Sequence, residues 1–157
     1  MAKKDKKDKK DKKAKKATSK AAISSGSTPD NVFQLLVHVA NTSHMEMRVT
    51  LHVHGLVLTG KLISGATYWS ETAAELRGLG EGPTELIDAM ASSMESVADE
   101  YRERFGGKAK DASEDFDDFV HLRDARTVSS QGPVPAAGGF WRGRLTSVDG
   151  FSFGELQ

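Results

Sequence analysis

The chain of 157 residues contains no cysteine. That absence excludes disulfide bridges, thiolate metal sites and cysteine nucleophiles, and it fits a reducing compartment. No apolar run approaches the roughly 20 residues that a membrane-spanning helix needs, so no membrane partner is expected. The basic start is followed by no apolar stretch, and a secretory signal peptide is not expected either. Catalytic signatures are also missing. There is no G-x-S-x-G elbow, no phosphate-binding P-loop and no G-x-G-x-x-G after a strand. No pair of acidic residues is set in apolar surroundings suited to acid–base work. These absences predict a protein without enzymatic activity and without a cofactor.

What is present is charge, and it is unevenly placed. Residues 1–20 hold eleven lysines against three aspartates, a balance of +8, and the remainder carries −8, so the formal net charge is zero. A basic tail on an acidic body bears on association and solubility, not on fold. Residues 1–27 offer almost nothing apolar to offset the entropy of ordering, so they are expected to be disordered. The recurring KKD triplet is low complexity. Two roles fit the tail: solubilisation, or a polycation for an anionic surface. It has no aromatic residue for base stacking, and its interspersed aspartates weaken phosphate binding.

One folded domain is expected over 28–157. Its strongest signal is Met47–Ile63, which alternates apolar and polar residues and turns at His54-Gly55. This predicts a hairpin pairing Val53 with Leu56, Leu51 with Leu58 and Val49 with Gly60. Met47, Val49, Leu51, Val53, Leu56, Leu58 and Leu62 then share one face. A lone hairpin is marginal in water, so that face needs a cover. The preceding segment supplies one. Thr28 is an expected N-cap, and Val32, Phe33, Leu35, Leu36, Val39 and Ala40 follow helical spacing up to Asn41-Thr42-Ser43. Burying Phe33, Leu35 and Leu36 is worth about 1.5–3 kcal/mol each before ordering entropy is subtracted.

Beyond Ser64-Gly65, residues 71–77 read as a short helix. Residues 84–105 read as a longer one, with Thr84 as cap and a stripe through Leu86, Ile87, Met90, Met94, Val97, Ala98, Tyr101 and Phe105. Glu85, Asp88, Glu95, Asp99 and Glu103 occupy its other face. Residues 108–118 are an acidic connection with the look of a solvated loop, and 119–128 read as a strand. Residues 129–139, rich in proline and glycine, read as a loop. Asp149-Gly150 predicts a second hairpin, pairing Val148 with Phe151 and Thr146 with Phe153.

Three constellations have chemical content. His52 and His54, two apart on a strand, point to one side, and a third ligand from His38, His44, Glu46 or His121 would be needed to hold zinc or iron. Without convergence they are surface histidines, and no metal site is expected. Tyr68-Trp69 is an aromatic pair suited to packing or to a ligand platform. Arg142-Gly143-Arg144 beside Phe140-Trp141 is the basic and aromatic cluster of the body. It suits base stacking and phosphate, or equally a strand edge whose arginines meet carboxylates. Tyr68, Trp69, Trp141, Arg142 and Arg144 are the candidate interaction residues.

Several blocks together carry a family resemblance. They are Leu35-Leu36 through Asn41, Gly55-Leu56 to Leu62-Ile63-Ser64-Gly65, His121-Leu122-Arg123-Asp124-Ala125, and Trp141-Arg142-Gly143 with Asp149-Gly150-Phe151. In these the chain resembles the gas vesicle accessory protein U (GvpU) family, from about Asp30 onward. The resemblance implies a cytoplasmic, non-enzymatic accessory role in vesicle assembly or clustering. The expected partners are gas vesicle proteins or the shell surface, together with further copies of itself.

At the level of fold, the order of helix, hairpin, strand and last hairpin is similar to the Sm-like order, though residues 65–118 replace a short connection. The alternative function this implies is nucleic-acid binding. The expected architecture is α+β: a small bent antiparallel sheet or Sm-like open barrel of roughly five strands, with an N-terminal helix and an inserted helix.

Overall fold

A computed structural model describes residues 28–79, 83–107, 116–130 and 132–156. The Lys-rich stretch expected to be disordered lies outside the described residues, as does most of the acidic connection, 108–115. Helix α1 spans Asn31–Ser43, and the strands β1 (Met47–Val53) and β2 (Leu56–Ile63) follow it. Helices α2 (Gly65–Gly78) and α3 (Thr84–Phe105) precede β3 (Phe119–Ser129), β4 (Gly132–Val134), β5 (Trp141–Arg144) and β6 (Gly150–Phe153). The protein is thus α+β, with an open antiparallel sheet in the order β4-β3-β2-β1-β6 and β5 also paired to β3.

The first hairpin has the expected register, with Val53 opposite Leu56, Leu51 opposite Leu58 and Val49 opposite Gly60. His54 and Gly55 take the positive φ values, 50° and 83°, that a primed two-residue turn requires. Val49, Leu51, Leu58 and Leu62 are buried, and Phe33, Val37 and Ala40 of α1 close over them. Leu56 stands at the turn and is exposed.

Helix α1 starts later than Thr28 suggested. Asp30 is the N-cap, and its carboxylate accepts from the N–H groups of Val32 and Phe33. The buried face runs through Phe33, Val37, Ala40 and Asn41, while Val32 and Leu35 are exposed. Leu35 therefore does not contribute the burial expected of it. Helical spacing admits two adjacent stripes on α1, and contact with the sheet selects the one containing Val37.

Strand β3 is bent by a bulge. Thr59 faces Arg126 and Lys61 faces Arg123, so one extra residue lies on β3 opposite Gly60. Asp124 takes a φ of 54° there, and a Cβ on Gly60 would come within 3.0 Å of the Arg123 carbonyl oxygen. A bulge turns the strand and raises its twist. The first part of β3 consequently pairs with β5, and the last part with β4. Strand β4 falls within the stretch expected to be a loop throughout.

The second hairpin does not form. Strand β5 pairs with β3 and β6 with β1, so the chain crosses from one side of the sheet to the other through a 3-10 turn, Leu145–Ser147. Asp149 is held by the first hairpin instead. Its carboxylate accepts from the His54 N–H at 2.6 Å, and its own N–H donates to the His52 carbonyl at 2.8 Å. Leu145, Val148 and Phe151 still reach the same core as the first hairpin.

Helix α2 begins at Ser64-Gly65, not at residue 71. The Ser64 hydroxyl caps it by accepting from the Thr67 N–H at 3.1 Å, so Tyr68 and Trp69 lie within a helix. Helix α3 has the expected bounds, although Pro83, not Thr84, is the cap residue. The two helices pack through small residues: Ala73, Ala91 and Ala98 are fully buried, and a Cβ on Gly65 would sit 2.1 Å from the Tyr101 ring. The N-terminal part of the α3 stripe, Leu86 and Met90, is exposed.

Candidate interaction surface

Strand alternation decides which of the predicted residues meet. Val120 and Leu122 of β3 face the core, opposite Gly143 and Trp141 of β5. Trp141 therefore turns inward, its ring lying where a Gly143 side chain would be. Phe119, His121, Arg142 and Arg144 take the other face. There the Arg142 guanidinium lies 3.3 Å from the Phe119 ring centroid and 5.5 Å from that of Trp69. Arg144 lies 5.8 Å from Phe119. Four of the five candidates, Tyr68, Trp69, Arg142 and Arg144, are thus brought onto one surface, and Trp141 is separated from them by the sheet.

Beneath this surface lies a polar cluster with no sequence motif. His121 is 1% exposed and packed between Tyr68, tilted against it at a centroid distance of 4.8 Å, and Tyr101, edge-on at 5.6 Å. Neither ring nitrogen has a hydrogen-bond partner. Burial, and then the charge of Arg142, push its pKa down to about 3, so the ring is neutral near pH 7. Asp117 belongs to the connection read as solvated, yet it is buried. Its carboxylate accepts from Asn41 Nδ2 at 3.3 Å, the Tyr101 hydroxyl at 3.3 Å and the Phe119 N–H at 3.1 Å. Burial raises its pKa, against the lowering effect of those hydrogen bonds. Tyr101 is pushed up to about 12, by burial first and then by the Asp117 charge. Asn41 completes the link, its Oδ1 accepting from the Gly65 N–H at 2.7 Å. This network joins α1, α2, α3 and the start of β3.

Arg123 ties α2 to the sheet from outside, pairing with Glu71 at 2.7 Å and Glu46 at 2.6 Å. The histidines do not converge. His52 and His54 are exposed at the hairpin tip, His38 packs edge-on to Phe105 and Phe116, and His44 meets Ser64. Among the described residues no group of three or more metal-ligating side chains is assembled. Among the same residues no helix is long and apolar enough to cross a membrane.

A profile described as Gas vesicle protein GvpU-like matches residues 30–156. The chain belongs to the GvpU-like family of gas vesicle proteins. The match starts at Asp30, the N-cap of α1, and covers every element of the fold, so the surface built by α2 and β5 lies within the family region. The Lys-rich segment precedes it. No curated protein and no solved structure matches the chain.

Proposed function

We propose that this gas vesicle protein is a non-enzymatic accessory factor that works in the cytoplasm, associates with further copies of itself, and so gathers vesicles or their components. The family match over residues 30–156 carries the reading. The charge distribution supports the mechanism. The Lys-rich segment of one copy attracts the acidic body of another, where Glu85, Asp88, Asp99 and Glu103 stand exposed along one side of α3. Folded residues and tail act as two units of opposite sign.

Such attraction is screened over about 10 Å at 0.1 M salt. Light scattering of the full-length protein is therefore expected to fall as salt rises, and a variant lacking residues 1–27 is expected to scatter less at low salt. Equal, salt-independent scattering by both would exclude the tail mechanism. Co-sedimentation with purified gas vesicles tests the vesicle contact itself. Against the nucleic-acid alternative, Arg142 of the same chain already covers Phe119 and approaches Trp69, the two rings beside the candidate arginines that base stacking would use.

A further inference from the structure

The arginines of this chain differ in their partners. Arg48, Arg77, Arg102 and Arg123 each pair with a carboxylate of the same copy. Arg142 and Arg144 have no carboxylate partner among the described residues, although they are exposed on a body with a strong excess of acid. We propose that Arg142 and Arg144 receive the carboxylate row of α3 from a second copy. The inference rests on the self-association reading above and names a contact for it, one that does not use the Lys-rich segment.

The Arg142 side chain is already ordered for such a role. It is stacked on Phe119 and lies near Trp69, so less rotamer freedom remains to be lost on binding. A guanidinium carries five N–H donors in a fork that suits carboxylate oxygens.

The other half of the contact is on α3. Glu85, Asp88, Ser92, Ser96, Asp99 and Glu103 fall on one helical face and are all exposed. Asp99 pairs with Arg102, whereas Glu85, Asp88 and Glu103 have no cation partner among the described residues. Spacing also agrees. Arg142 and Arg144, two apart on a strand, are about 7 Å apart, and carboxylates three or four apart on a helix are about 5–6 Å apart. Because the halves lie on different elements, the contact is head-to-tail. A copy engaged through β5 still offers its α3, and growth stays open-ended unless the rotation closes a ring.

The test is sedimentation velocity on the full-length protein at about 0.1 M salt, comparing Arg142→Glu/Arg144→Glu with Glu85→Lys/Asp88→Lys. Each reversal is expected to weaken self-association about tenfold or more, since like charges then face each other. Mixing the two variants is expected to restore assembly, because each supplies the charge the other lacks. Arg144→Glu alone, at the residue less tightly packed on Phe119, guards against a folding defect and is expected to weaken association in the same direction. If reversal variants assemble like the parent, the proposed contact is wrong while self-association stands. If the parent does not assemble at any salt, both readings fall. If the arginine variant loses binding to a single-stranded RNA oligonucleotide and keeps its self-association, the occupant is nucleic acid and the inference is overturned.

Discussion

Replacing Asn41 by aspartate exchanges one NH2 group for an oxygen and leaves the shape of the side chain unchanged. Asn41 and Asp117 are both buried, 4% and 3% exposed, and Asn41 Nδ2 donates to Asp117 Oδ2 at 3.3 Å. In the variant two carboxylate oxygens face each other there. Were both charged, they would repel by about 5 kcal/mol at an effective dielectric of 20. Holding a proton between them is cheaper: for a carboxyl with an unfolded pKa of about 3.9 it costs about 4 kcal/mol at pH 7. The pair therefore retains one proton that the unfolded chain releases. Its folded pKa is raised above the unfolded value, so stability is present at low pH and lost as pH rises.

The expected slope is about 1.4 kcal/mol per pH unit, from about pH 4 up to the pair's own pKa. For a domain stabilised by some 5–15 kcal/mol this is a large fraction. Urea unfolding followed by the fluorescence of Trp69 and Trp141, at several values between about pH 4.5 and 7.5, measures it. A deficit that is the same at every pH, or no deficit near pH 7, would refute the view that Asn41 and Asp117 form a buried pair joining α1 to the start of β3.

Three further outcomes are expected. His121→Phe should flatten the acid limb of stability. His121 has a folded pKa of about 3 against an ordinary 6.5, so the parent loses about 1.4 kcal/mol per unit as pH falls from about 6.5 toward 3, and the variant should not show this contribution. Gly65→Ala should destabilise by about 1–3 kcal/mol despite its better helix propensity, because the new Cβ meets the Tyr101 ring; calorimetry or urea unfolding reads this. Leu35→Gln should change stability by no more than about 0.5 kcal/mol, whereas Phe33→Ala, two positions earlier and 1% exposed, should cost about 3–5 kcal/mol.

The clearest sequence signals were local ones. The β1–β2 register follows from alternation plus a turn at His54-Gly55, and both signals lie within 17 consecutive residues. The bounds of α3 follow from its apolar spacing and the glycines after it. Part of the candidate surface was legible for the same reason, since Arg142 and Arg144 are two apart on a strand and must share a face. Signals that needed a distant partner were misread. Asp149-Gly150 has the chemistry of a hairpin turn, but its carboxylate is held by the backbone of His54, 95 positions away. Asp117 sits in a run of acids that reads as solvated, and Asn41 at a helix end reads as a terminator. The hydrogen bond that joins them spans 76 residues.

The sequence by itself determined α1, α3 and the strands β1, β2 and β3 to within a few residues, how the first hairpin pairs, and how charge is divided along the chain. Those properties depend on backbone preference, side-chain period and residue count, which act over a few neighbours. Only the tertiary structure decided which stripe of α1 is buried, which side of the sheet β6 joins, and why Trp141 turns away from Arg142 while Tyr68 and Trp69 come to it. The reason is that burial and hydrogen-bond satisfaction are settled between elements. A carboxylate or an imidazole has no environment until the helices and strands around it are in place.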